Sequence, residues 1–275
     1  MTLVLSFLVF VGVFVFQVIG YLIGNLFGDT GELSATLGSA VGAACGMAVL
    51  GGANLMRLDA KAIILSFKKG WWVILVSAAL CVFGLIESFV IEHGTLTQDW
   101  PMRMVWLCAL CASIGFSEEG MFRGILLGGV LDVCGKNRRG IMMAAGISAL
   151  LFGVAHLEWW SINWLDPLQA LQAVLKMLQT GTLGFFLAAL VIRGKNVWGV
   201  AIIHGLDDFL IMMPSIGLLG QSAEVSYVNA GDAAIATIVL YAIVIAVYMP
   251  LVISGVKMLK EVPAPDQGPF HKEAQ

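Results

Sequence analysis

Charge is what this chain has least of. Only 12% of its 275 residues are charged against 59% hydrophobic, and the mean hydropathy is +0.92, where soluble proteins carry roughly a quarter charged residues. That scarcity excludes a soluble globular fold and marks a polytopic membrane protein. No basic patch interleaved with aromatics occurs, which excludes a nucleic-acid surface. The formal net charge of −3 says less about partners than the sharing of Lys and Arg among loops. The run 2–24 lacks a charged leading region and an A-x-A site, so it is expected to be a retained helix rather than a cleaved signal. Cysteines number five. Cys45, Cys81, Cys108, Cys111 and Cys134 mostly fall in apolar runs and are expected to be free, buried thiols; Cys108-x-x-Cys111 has no second pair at zinc-ribbon spacing. There is no H-E-x-x-H, and no Ser or Cys nucleophile beside a base.

With about 20 apolar residues per span, eight helices are expected, near 2–24, 36–56, 71–91, 104–132, 141–157, 177–193, 197–216 and 233–256. The fold class is all-α. Connections 57–69, 136–139 and 193–195 and the tail with Lys257 and Lys260 are basic. The alternate connections hold Asp29 and Glu32, Glu92 and Asp99, Glu158 and Asp166, then Glu224 and Asp232. The positive-inside rule then puts both termini in the cytoplasm, and a bacterial inner membrane is the expected location. Residues 1–260 read as one helical domain with a motif-bearing core at about 104–216, and 261–275 as a disordered tail. His271 in that tail and His93 read as loop residues.

Gly38, Gly42 and Gly46 form a doubled G-x-x-x-G, expected to pack within a monomer, with a dimer interface as the alternative. The stretch 57–69 mixes apolar and basic residues and is expected to lie along the cytoplasmic interface. Trp159, Trp160 and Trp164 suggest an aromatic belt. Asp166-Pro167 reads as an N-cap and Pro at N1, and Lys176 can snorkel outward.

Within the fourth run stand three charges, in Ser117-Glu118-Glu119-Gly120-Met121-Phe122-Arg123. Bilayer-centre charge is costly, roughly 2.5–3.5 kcal/mol per Asp, Lys or Arg, so such groups face protein and pair. On a helix Glu119 and Arg123 stand at i and i+4, while Glu118 projects about 100° away. We read Glu119 and Arg123 as a structural brace and Glu118 as the chemical group. Two further histidines lie in membrane helices, His156 and His204, and Asp208 follows His204 by four. Counting about 1.5 Å per residue from the loops puts all four at compatible depths. Carboxylates lose stability as anions when removed from water, which suits Glu118 to take a proton from water. His156 could share that water, and His204, with Asp208 orienting it or donating beside it, could hydrogen-bond the oxyanion formed on a peptide carbonyl.

Glu118-Glu119-x-x-x-Arg123, Phe152-x-x-x-His156 and His204-x-x-x-Asp208, in that order on hydrophobic helices, resemble the motifs of the CPBP family of intramembrane proteases. That family includes the Ras-converting CAAX endopeptidases and the lysostaphin-resistance-type bacterial proteins. The resemblance covers about 90 residues, from Glu118 to Asp208. It implies an eight-span helical fold with a cavity in the membrane, Glu118 activating water with His156, and His204 with Asp208 on the oxyanion side. Family members commonly carry Asn where this chain has Asp208, and an ionised Asp cannot donate a hydrogen bond. No cofactor is needed on this reading. A zinc held by Glu118, His156, His204 and Asp208 is the rival. The expected partners are membrane lipid and a membrane-embedded or membrane-apposed peptide. Two other functions use the same residues: a proton-coupled transporter with a relay, and a non-catalytic binding or immunity protein.

Overall fold

The structure is a computed structural model and describes residues 2–26, 32–222, 227–231 and 233–263. Among these residues there is no strand. Eight helices are long and apolar enough to cross a membrane: α1 (Thr2–Leu26), α2 (Glu32–Val49), α3 (Ala60–Ile91), α4 (Trp100–Cys134), α5 (Arg138–Ala155), α6 (Pro167–Gly194), α7 (Trp198–Leu218) and α8 (Ala233–Glu261). The chain is an all-helical, multi-pass integral membrane protein.

Several boundaries differ from expectation for local reasons. α2 stops at Val49 instead of near 56, because Gly51 takes φ +79° and Ala53–Met56 winds into a 3₁₀ turn. α3 starts eleven residues earlier than expected, capped by Asp59, whose Oδ1 accepts from Lys61 N at 2.8 Å. Lys61, Lys68 and Lys69 of the basic stretch therefore lie in the first turns of α3, continuous with the span, while Arg57 ends the 3₁₀ turn before it. α6 starts at Pro167, with Asp166 Oδ1 accepting from Leu168 N at 2.9 Å. Its polar first turns find partners: Gln172 exchanges hydrogen bonds with the backbone of Asn229, and Lys176 lies 4.1 Å from the centre of the Tyr227 ring rather than reaching outward. Trp159 and Trp164 stack, and all three loop tryptophans are exposed. α8 runs through Glu261, which pairs with Arg193 at 2.8 Å. Residues 264–275 of the expected tail, with His271, lie outside the described residues, as do Asp29, Glu224 and Asp232. All five thiols are free, but Cys45 and Cys108 are exposed on apolar faces, not buried.

The chain forms two compact units. The first takes its described residues from 2–133 and 194–222, hence α1–α4 and α7; the second, from 134–193, 227–231 and 233–263, holds α5, α6 and α8. In the second, Gly153 lies against the Met177 backbone and Gly255 against the Phe185 ring.

Small residues set the packing of the first unit. α1 buries Ser6, Val13 and Gly20, a spacing of seven. Gly20 and Gly38 meet backbone to backbone, Gly42 sits under the Phe16 ring, and Gly46 meets Val9 and Ile125. The glycine stripe of α2 thus seats α1 and α4. The start of α7 is tied down by Asn196, whose Oδ1 accepts from Trp198 N at 3.0 Å and whose Nδ2 donates to Arg57 O at 2.7 Å. Where α4 crosses α7, Gly115 faces Gly205. A Cβ on Gly115 would come within 2.8 Å of Gly205 N, and one on Gly205 within 2.6 Å of Cys111 O. Neither obstacle is a flexible side chain, so the helices must separate to admit a methyl. Gly115→Ala and Gly205→Ala should each destabilise the protein by about 1–3 kcal/mol, read as a lowered unfolding temperature in detergent; unchanged unfolding of both would contradict this crossing.

Candidate active site

The close crossing brings the acids of α4 against the imidazole of α7. Glu119 ends the regular part of α4, and Gly120–Leu126 continues it as a π-helical turn, a widening often found at functional sites. Gly120 and Gly124 of that turn receive Ala43 and Met47 of α2, so the turn is buried. Arg123 Nη1 stands 3.0 Å from Glu119 Oε1 with both side chains wholly buried. The i, i+4 ion pair forms as the spacing requires.

Glu119 does more than neutralise Arg123. The same Oε1 lies 2.9 Å from His204 Nδ1. An ionised carboxylate oxygen accepts only, so Nδ1 carries the proton and the ring is fixed with Nε2 turned the other way. There Nε2 faces Glu118 Oε2 at 3.8 Å and Asp208 Oδ2 at 3.7 Å. These separations exceed a direct hydrogen bond and suit an oxygen atom placed between the three groups. Glu118 and Asp208 side chains are 29% and 21% exposed, while Glu119 is fully buried and His204 nearly so.

Asp207, which the sequence reading passed over, is buried and its Oδ1 meets the Ser77 hydroxyl of α3. Two acid doublets therefore divide their duties alike. In Glu118-Glu119 and in Asp207-Asp208, one member is buried against a neighbouring element and the other stays partly open beside His204 Nε2. Adjacent acids on a helix must point about 100° apart, and that doubling was the available signal.

A cavity of about 340 Å³ follows the same helices. Its apolar wall includes Leu110, Ile114 and Met212, and its polar rim Gln17, Tyr21 and Glu32. Ile114 and Leu110 stand one and two turns before Glu118 on its stripe of α4, and Met212 one turn after Asp208 on α7.

His156 belongs to the second unit, at the end of α5. Its Nδ1 lies 2.8 Å from the Phe152 carbonyl, and its ring packs edge-on against Phe152 with centroids 4.4 Å apart. A carbonyl cannot donate, so Nδ1 holds the hydrogen and the neutral ring keeps a basic Nε2. Phe152-x-x-x-His156 is in this way a local device that sets the tautomer.

Zinc requires three protein donors converging at about 2.0–2.2 Å. Among the described residues no three His, Cys, Asp or Glu side chains are gathered closely enough to hold a metal ion as they stand, and no step below runs through one.

Fold and cluster together define a multi-pass membrane protein with an acid–imidazole centre at a helix crossing. Residues 99–210 match the family model described as type II CAAX prenyl endopeptidase, Rce1-like. No curated protein matches the chain. The matched segment contains Glu118, Glu119, Arg123, His156, His204 and Asp208, and over it the chain is similar to this endopeptidase family, in line with the motif resemblance.

Removing the charge of Glu119 would leave Arg123 buried without its counter-ion. Glu119→Gln should cost about 3–5 kcal/mol, seen as lost yield or a large drop in unfolding temperature, whereas Glu118→Gln should leave stability near wild type. Equal stability of the two variants would contradict the division of roles.

Proposed function

We propose that the chain is an intramembrane endopeptidase that cleaves a membrane-embedded or membrane-apposed peptide with water activated by Glu118. The observation that carries this reading is the fixed imidazole: Glu119 holds Nδ1–H of His204 and turns Nε2 toward the two partly open carboxylates. Glu118 takes a proton from water, and the hydroxide adds to the scissile carbonyl carbon. The resulting oxyanion accepts a hydrogen bond from protonated Nε2 of His204, with Asp208 in its neutral form as a second donor. Collapse breaks the C–N bond, and the proton held by Glu118 passes to the leaving amine. A positioned base contributes roughly 10²–10⁴-fold and one oxyanion donor about 10²–10³-fold. His156 enters on the strength of its motif, with Nε2 as its basic nitrogen. The groove along Ile114, Leu110 and Met212 would take the substrate chain. Loop charges favour cytoplasmic termini.

The family description suggests the substrate to try first, a farnesylated CAAX reporter peptide, beside an unprenylated membrane-spanning peptide. Glu118→Gln should lower turnover by about 10²–10⁴-fold while the protein stays folded; near-wild-type turnover would sink the assignment. Asp208→Asn separates this mechanism from the zinc alternative. It keeps a group of the same size that can donate, so activity should survive, and it should extend to higher pH than in the wild type, whose carboxylic-acid donor is lost there. As a zinc ligand, Asp208 could not be replaced in this way: a dead variant, with a chelator-sensitive wild type carrying stoichiometric metal, would favour the metal.

A further inference from the structure

Arg138 and Arg139 open α5 and Lys260 stands one residue before the end of α8, so the second unit gathers three cations at the ends of two membrane-crossing helices. With Met142 and Met143 they line a cavity of about 640 Å³. All three cations are exposed, and among the described residues none pairs with a carboxylate. The adjacent acid, Glu261, is taken by Arg193. Two arginines in the first turn of α5 also stand against the positive pole of that helix, which raises the local positive potential further.

The chemistry of the cavity is split. Its cations call for an anion, and arginine forks match phosphate oxygens in pairs. Its floor calls for hydrocarbon: Met143 is 56% exposed and Met142 half-buried. Free phosphate would satisfy only the first demand. A molecule with a phosphate head and an apolar tail satisfies both, and the end of a crossing helix is the depth at which such heads lie. We infer that this cavity binds one anionic glycerophospholipid, with its phosphate among Arg138, Arg139 and Lys260 and an acyl chain along Met142 and Met143. The site uses none of the residues assigned to catalysis.

The test uses the purified full-length protein, delipidated in detergent and titrated with phosphatidylglycerol, phosphatidylcholine or inorganic phosphate, with bound lipid counted by native mass spectrometry. One phosphatidylglycerol should be retained saturably. Lys260→Gln should weaken it about fivefold, and Arg138→Gln with Arg139→Gln on the order of 25-fold. Lys68→Gln with Lys69→Gln, equally exposed on α3, should leave it unchanged. Glutamine keeps side-chain length at these exposed positions, and the single Lys260 variant serves if the arginine pair fails to fold. Equal retention of phosphatidylcholine, equal loss in the α3 control, wild-type retention by the cavity variants, or displacement by equimolar inorganic phosphate would each overturn the inference.

Discussion

One carboxylate organises the first unit. Glu119, with no exposed surface, meets Arg123 within its own helix and His204 across the crossing. A buried charge is tolerable only when paired and oriented, and these three groups meet that condition together. The buried pair need not add net stability. What it supplies is position: with Arg123 and His204 both drawn to one oxygen, the ring cannot rotate, and its second nitrogen has a fixed direction. The proposed chemistry depends on that direction more than on any single distance.

Backbone proximity makes the arrangement attainable. Glutamate and histidine are short enough to meet at 2.9 Å only because Gly115 and Gly205 let α4 and α7 touch. In hydrocarbon little drives helices together except packing and hydrogen bonds, so small residues at the crossing and the acid–imidazole contact beside them are parts of one device. Ser77 and Asp207 make a second tie, from α3 to the same stretch of α7.

Legibility in the sequence followed how local each feature is. Eight spans were readable from apolar run length, and the Glu119–Arg123 pair from i, i+4 spacing, since both are properties of a single helix. The start of α6 was readable in Asp166-Pro167 as a cap, although the apolar run alone begins ten residues later, after the polar Gln172 and Lys176. The partners of Gln172 and Lys176, Asn229 and Tyr227, lie some fifty residues away and leave no local trace. For the same reason the second role of Glu119 was hidden, because its other partner is 85 residues on. The π-helical turn at Gly120–Leu126 was also hidden: it answers to α2 packing against Gly120 and Gly124, not to any pattern in its own seven residues. Asp207 was not legible because its partner, Ser77, is 130 residues away in the chain, whereas Asp208 has His204 within one helical turn.

Two adjacent glutamates, one buried as an anchor and one open as a base, are the centre of this account, and chemical rescue distinguishes them. Glu118→Ala opens a gap at a partly exposed position that a small carboxylate can enter, so added formate should restore part of the lost cleavage in proportion to its concentration. Glu119→Ala, which removes the anchor rather than the base, should gain nothing. Undiminished cleavage by Glu118→Ala without formate, or rescue of Glu119→Ala alone, would contradict the account.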